Sequence, residues 1–256
     1  MTPPKISIII NCKNGGSFLE DAFKALDKQD FTDFEVIFYD SESSDNSIEI
    51  FKKFKRDNYH FIDGDSKDSL AASRNKAVKA SKGEWLCFND QDDIFLTNRL
   101  SEPMKRANQD QSLKFIYSDF EKIDQHNKSL GKGSFGKGSF SNVLLGRANV
   151  GLLTITIKRD CFDALGGFDE RYPNSQDYDL VLKVMKNYKF LFIEKVLAKY
   201  RIHEDSMSSN MINDGTIYLE TANIAASHLP RFGSLVRISE MLTKFCYRRI
   251  MNLFRV

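Results

Sequence analysis

Between Lys5 and Asp93 short apolar runs alternate with segments of helical period, and that alternation leaves few folds open. Ile6 to Ile10, in KISIIIN, is a β-branched run of the kind a buried strand shows. Phe18, Ala22, Ala25 and Leu26 then mark one face of a helix. FEVIFY, from Phe34 to Tyr39, predicts a second strand, and Ile48, Phe51 and Phe54 a second helix. Phe61 and Ile62 make a brief third strand. The alanine-rich stretch Leu70 to Ser81 is helical and delivers the chain to WLCF, Trp85 to Phe88. Strand and helix in this order predict an α/β fold with a doubly wound, mainly parallel sheet.

The second half is patterned differently. Lys114 to Ile123 and Leu152 to Lys158 read as strands, and Phe190 to Ile193 with Val196 to Tyr200 as a strand pair. LGGF, Leu165 to Phe168, is a tight turn. Tyr178, Val181, Leu182 and Met185 fall at helical spacing in Gln176 to Met185. Gly131 to Phe140 repeats GKGSF twice, which predicts a glycine-rich loop. That loop is either a slack surface connection or an active-site flap carrying Lys132 and Lys137 to a phosphate or an acceptor. No Pro/Ser-rich linker divides the chain. One domain over 1–209 is therefore expected, fused from halves of about 1–93 and about 94–209, with a helical extension over 210–256.

Composition narrows the function classes. With 41% hydrophobic and 28% charged residues the chain has the makings of a globular core. A net charge of +2 gives no electrostatic case for a nucleic-acid partner. Cys12, Cys87, Cys161 and Cys246 are scattered without a CxxC pair, which disfavours zinc and suggests reduced thiols in a cytoplasmic compartment. The first residues lack the basic flank and apolar stretch of a signal peptide, and no run approaches the roughly 18 apolar residues of a spanning helix. There is no GxGxxG after the first strand and no GxxxxGK[ST]. A bound nucleotide would be held by side chains and a metal more than by a glycine-rich loop.

The chemistry concentrates where WLCF runs into NDQDD. Asp90 and Asp92 are two apart, so extended backbone points both the same way from a strand end. Clustered carboxylates repel and call for a cation. Mg²⁺ takes one or two carboxylates and fills its remaining positions with phosphate oxygens and water. A metal–diphosphate site follows, set against the alternative of a solvated acidic loop, Asp90, Asp92 and Asp93, that caps the next helix. Asp40 ends the second predicted strand on the same sheet edge, where it can accept from a ribose hydroxyl or base N–H, or cap a helix. Asp45 reads as a helix cap. Arg74 lies in a predicted helix, where a plain surface role is the simpler reading. Asp177 and Asp179 open a helix, as the macrodipole alone would favour. His203, after the last strand, is structural or a ligand of metal or diphosphate.

These segments together resemble the family 2 glycosyltransferases, which have the GT-A fold. The resemblance runs from about Lys5 to about Ser209, in the family's order. SIIINCKN is similar to the family's opening strand and nucleotide turn, and implies nucleotide contacts at Cys12 and Asn14. VIFYDSESSDNS places Asp40 at the nucleobase. SRNKAVKASKGEWLCFNDQDD is similar to the arginine–asparagine helix that runs into the DxD motif. It implies that Arg74, Asp90 and Asp93 contact the nucleotide sugar and that Asp92 with Asp90 holds Mg²⁺ or Mn²⁺. LGGFDERYPNSQDYDLVLKV places the catalytic base on Asp177. YRIH places His203 at the metal and diphosphate. Departures stand at Ser41, at Cys12 and Lys13, and at Gln176.

The resemblance implies an inverting glycosyltransferase with a UDP sugar as expected donor. The expected acceptor is a saccharide or lipid-linked saccharide, in bacterial surface polysaccharide synthesis. A metal-dependent nucleotidyltransferase and an inactive sugar-nucleotide-binding protein are the rival readings. From Pro230 onward, Leu235, Ile238, Met241, Leu242 and Phe245 line one helical face among Arg231, Arg237, Lys244, Arg248 and Arg249. Such a basic amphipathic helix predicts peripheral contact with the inner face of a membrane, or else packing on the catalytic domain or dimerisation.

Overall fold

The computed structural model describes residues 3–133, 137–146, 148, 150–204, 206 and 216–228. The expected amphipathic tail from Pro230 onward lies outside the described residues. The first half runs β1 (Ile6–Cys12), α1 (Leu19–Leu26), β2 (Phe34–Asp40), α2 (Ser47–Phe54), β3 (Tyr59–Asp63), α3 (Leu70–Ala80) and β4 (Trp85–Phe88). Every residue of β1 and β4 is buried, because helices cover both faces of a parallel sheet. That burial is what the unbroken apolar runs encode. The Ser69 hydroxyl accepts the Ala72 amide at 3.1 Å and starts α3.

The second half contains β5 (Ile94–Phe95), α4 (Ser101–Gln109), β6 (Phe115–Ile123), β7 (Ser129–Lys132) and α5 (Phe140–Leu144). A 3₁₀ turn (Leu152–Thr154), β8 (Thr156–Lys158), α6 (Arg159–Ala164), α7 (Gln176–Asn187), β9 (Phe190–Arg201) and α8 (Thr216–His228) follow. The described strands form one sheet in the order β3-β2-β1-β4-β8-β6-β9-β5, with β7 on β6. β3, β2, β1 and β4 are mutually parallel. β8 enters antiparallel between β4 and β6, and β9 returns parallel to β6. β6 therefore runs the same way as β4, and both halves present strand ends to one edge.

Two second-half expectations are corrected. Leu152 to Lys158 is not one strand. The buried guanidinium of Arg99 takes the carbonyls of Leu153 at 3.0 Å and Ile155 at 2.6 Å, so these serve a side chain instead of a ladder. The pair expected over 190–200 is a single strand. Its register against β6 skips from Ile193 to Val196 and on to Ala198, a bulge that interrupts the apolar pattern. The tandem glycine repeat is pinned at both ends to β6. Lys132 Nζ lies 2.6 Å from Asp119 Oδ2, and the Gly138 amide donates to Tyr117 Oη at 2.8 Å.

Gly83, just before β4, shows how closely the strands are laid down. A Cβ there would stand 2.4 Å from the Ser7 amide nitrogen and 2.6 Å from the Ile6 carbonyl carbon. Backbone cannot yield as a side chain does, so Gly83→Ala is expected to destabilise the fold by roughly 1–3 kcal/mol. Urea unfolding checks this; an unchanged midpoint would show that the strand entry is slack.

Candidate active site

At the carboxyl ends of β1 and β2 two turns are laced together. Asn14 takes φ 54°, a left-handed conformation that Asn tolerates better than most residues. Its amide donates to Ser43 Oγ at 2.9 Å, and its side-chain oxygen accepts the Ser44 amide at 2.8 Å. The Gly15 amide donates to Ser47 Oγ and the Gly16 amide to Asp45 Oδ2. Asp45 also accepts the Ser47 amide at 3.0 Å and so joins the two turns, but it is not the N-cap expected from sequence: that position is Asn46, which makes no side-chain cap bond. Asp40 is fully buried. Its Oδ2 accepts the Ser43 amide at 2.8 Å, while Oδ1 has no hydrogen-bond partner among the described residues. Burial pushes the neighbouring Cys12 thiol up to about 11, which keeps it neutral.

The acidic turn after β4 divides its work. Asp90 Oδ1 accepts from Arg74 Nη2 at 2.6 Å. The Gln91 side chain joins the turn to the β1 turn, accepting the Lys13 amide at 2.8 Å and donating to the Lys13 carbonyl at 3.3 Å. Asp92 Oδ2 stands 3.0 Å from His203 Nε2. Asp93 is buried, and its carboxylate accepts the Arg201 amide at 3.0 Å. Arg201, fully buried, also donates Nε to the Asp92 carbonyl at 2.9 Å and Nη1 to the Asp124 carbonyl at 3.2 Å. The Phe18 ring meets both His203, at 4.8 Å, and the Arg201 guanidinium, at 4.7 Å. The end of β9 thus carries the turn and brings His203 to Asp92.

Arg74 connects this turn to the first residue of α7, Gln176. It is only 4% exposed. With the Gln176 amide oriented to satisfy its neighbours, Gln176 Oε1 accepts from Arg74 Nη1 at 2.5 Å. The Gln176 nitrogen then donates to the carbonyls of Tyr172 and Pro173. Asp177 follows, its Oδ1 accepting the Tyr178 amide at 2.8 Å. Asn75, beside Arg74, exchanges two bonds of 2.9 Å with the main chain of Phe168 and fixes α3 against the LGGF turn. Gly166 and Gly167 supply that turn's left-handed φ values of 81° and 73°.

The electrostatics follow from this crowding. Burial and the charge of Asp90 raise the Asp92 carboxyl above the ordinary range. Burial, with Asp92 and Asp90 nearby, holds the Asp93 carboxyl well above it. Burial also raises Asp177, opposed by the Arg74 guanidinium. Among the described residues no group of three or more His, Cys, Asp or Glu side chains stands ready to hold a metal by itself. Asp92 with His203 nonetheless fits a divalent cation. A desolvated carboxylate under repulsion and an imidazole nitrogen converge there, which suits an ion whose other ligands come from phosphate oxygens.

The nine candidates from sequence thus fall into three places. Cys12, Asn14 and Asp40 lie at the two laced turns. Asp90, Asp92, Asp93 and His203 lie at the acidic turn. Arg74 and Asp177 lie beside it, and Arg74 meets Asp90 and Gln176 instead of pointing outward as a surface arginine. Phe18, Asn75, Gln91, Gln176 and Arg201 were not assigned to the site from sequence, although Asn75, Gln91, Gln176 and Arg201 sit inside motifs noted there. Arg201→Met would strand the Asp92 and Asp124 carbonyls in the interior. We expect it to cost about 3 kcal/mol in urea unfolding; a loss under about 0.5 kcal/mol, the scale of ordinary surface changes, would show the network to be dispensable.

Comparison with known proteins identifies the family and the fold. Residues 7–149 match the family described as Glycosyl transferase family 2. The chain is 26% identical over 211 residues to the Escherichia coli UDP-Glc:alpha-D-GlcNAc-diphosphoundecaprenol beta-1,3-glucosyltransferase WfgD, spanning 82% of this chain and 81% of that protein. It is 28% identical over 237 residues to the Campylobacter jejuni GalNAc(5)-diNAcBac-PP-undecaprenol beta-1,3-glucosyltransferase, spanning 88% and 75%. It spans only 36% of a longer relative, an uncharacterized glycosyltransferase of Rickettsia felis that is 27% identical. Its fold matches that of S. aureus TarS residues 1–349 in complex with UDP-GlcNAc, with a TM-score of 0.73 at 18% identity over 93% of this chain and 71% of that one. The mixed α/β sheet is the GT-A architecture, and the chain belongs to glycosyl transferase family 2 and is a glycosyltransferase.

Proposed function

We propose that the enzyme transfers a sugar, with inversion, from a UDP sugar to a hydroxyl of a lipid-linked saccharide. The carrying observation is the layout of the sheet edge. A buried carboxylate with an open oxygen, Asp40, ends β2, the Asp92–His203 pair stands at the turn after β4, and a desolvated carboxylate, Asp177, opens α7 within the field of Arg74 and Asp90. The E. coli and C. jejuni relatives, whose names specify undecaprenol-diphosphate acceptors, support the acceptor class, and the first names UDP-Glc as donor.

Asp40 Oδ1 accepts from the nucleobase or ribose, and the laced turns at Cys12 and Asn14 shape that end of the pocket. Asp92 and His203 would hold Mg²⁺ or Mn²⁺, with Asp90 beside them. A cation there supplies positive charge against the diphosphate as it leaves. Asp90 and Arg74, bonded to each other, form the wall between diphosphate and base segment, and Asp93 supports the turn. Asp177 takes the proton from the acceptor hydroxyl as its oxygen attacks the anomeric carbon. The bond from that carbon to the diphosphate oxygen breaks in the same displacement, so the configuration inverts and no enzyme nucleophile is required.

The test is a panel of nucleotide sugars assayed for metal-dependent release of nucleoside diphosphate. Pyrophosphate release instead would indicate nucleotidyl transfer, and no release a binding protein.

Among the described residues no helix is long and apolar enough to cross a membrane. A lipid-linked acceptor would be met at the inner face of the membrane, with the basic tail from Pro230 as the peripheral contact. Each basic residue near an anionic leaflet contributes on the order of 1 kcal/mol. The full chain is expected to co-sediment with anionic liposomes, less so at high salt. A chain ending at Leu229 keeps α8 and should stay in the supernatant while hydrolysing donor. Equal sedimentation of the shortened chain would assign the contact elsewhere.

A further inference from the structure

The segment that carries Asp177 is held from outside itself. α7 begins at Ser175 without a side-chain cap, and Ser175 Oγ has no hydrogen-bond partner among the described residues. The lock comes from α8. Glu220 Oε1 accepts the amides of Asn174, at 3.0 Å, and Ser175, at 2.9 Å. Glu220 Oε2 accepts from Asn174 Nδ2 at 2.9 Å. One carboxylate thereby takes three donors from the two residues immediately before Gln176 and Asp177. α8 is seated firmly enough to serve as an anchor. Ala222, Ile224 and Ala225 are buried, and the latter two belong to the core that includes Leu180, Val181 and Val184 of α7. His228 Nε2 stands 3.6 Å from Asp179 Oδ1 and makes a second point of attachment.

We propose that Glu220 is a positioning residue for Asp177, an inference that rests on Asp177 being the base. Gln176 is held by Arg74 on the side of the acidic turn, and Asn174 and Ser175 by Glu220 on the other. Asp177 sits at the end of a segment clamped from both sides. Without Glu220 two backbone N–H groups lose their acceptor, and the segment shifts to find water or another oxygen. A displacement of about 1 Å at a reacting group lowers turnover by roughly 10². Donor binding is spared, because Asp40, Asp92 and His203 belong to other segments.

The test uses the full chain with Mn²⁺ and whichever of UDP-glucose or UDP-GlcNAc it hydrolyses faster, water standing in for the acceptor. UDP release gives kcat and KM, and calorimetry gives the fraction of protein that binds UDP. Glu220→Ala is expected to lower kcat roughly 10- to 100-fold, with donor KM and UDP-binding fraction within about twofold of wild type. Glu220→Gln keeps one oxygen for both backbone amides and should recover most of the turnover. Adding Glu220→Ala to Asp177→Asn should cause little further loss, since the first acts only through the second. Wild-type kcat in Glu220→Ala, or a kcat loss matched by loss of UDP-binding protein, overturns the positioning role. So does a double variant weaker than Asp177→Asn by the full Glu220 factor. Should Asp177→Asn itself retain wild-type turnover, the base assignment fails, and this inference with it.

Discussion

Asp177→Asn is expected to lower turnover by roughly 10² to 10⁴ while leaving donor affinity within a few-fold, the signature of a lost general base. Asn keeps the shape and still accepts the Tyr178 amide, so the start of α7 is undisturbed. It cannot take up a proton. Because burial raises the Asp177 carboxyl above its ordinary 3.8, the ionised base is lost sooner on acidification than an exposed carboxylate would be. The wild-type rate should therefore fall as pH drops through that raised value. The residual rate of Asp177→Asn should lose the Asp177 part of this limb and keep only the fall at lower pH that protonation of Asp92, itself raised, imposes. Equal pH–rate profiles for the two, or a dead Asp179→Asn beside an active Asp177→Asn, would move the base away from residue 177. The structure gives Asp179 other work, since it pairs with Lys183 at 2.6 Å.

Asp92→Ala is expected to remove metal-dependent donor binding and to reduce transfer on the order of 10³-fold or more, the equivalent of several kcal/mol of charge stabilisation. Folding should survive. The Asp92 carbonyl that receives Arg201 is untouched, and removal of a desolvated carboxylate relieves repulsion with Asp90 and Asp93. Calorimetric titration of UDP with and without Mn²⁺ reads the effect directly, because only the wild type should gain affinity from the metal. Wild-type turnover in excess chelator would dismiss the metal altogether. His203→Ala should show the same loss more weakly, since a carboxylate remains.

The first half of the sheet could be read from sequence because its signal is local. β1, β2 and β4 are covered on both faces, so nearly every position must be apolar and the runs are unbroken. The acidic turn was visible for a related reason. Three carboxylates in four positions after a buried strand have no apolar task to perform, and burial makes them costly unless a cation is near. The second half was less legible. Glu194 and Lys195 interrupt the apolar pattern of β9 at a bulge, and Arg99 draws the carbonyls around Ile155 out of the ladder. In each case a contact with a distant segment overrode the local period.

Sequence alone therefore determined the order of strands and helices in the first half, and which carboxylates stand at strand ends. Both follow from periods of 2 and 3.6 residues that report which face of an element is buried. Tertiary structure alone decided the partners. Arg74 joins Asp90 to Gln176, Gln91 ties the acidic turn to Lys13, Arg201 carries Asp92 and Asp93, and Glu220 holds the entry to Asp177. Each of these bonds links residues that no period relates. They exist because a polar group taken from water must find a partner, and the packing of the sheet chooses which groups lie within reach.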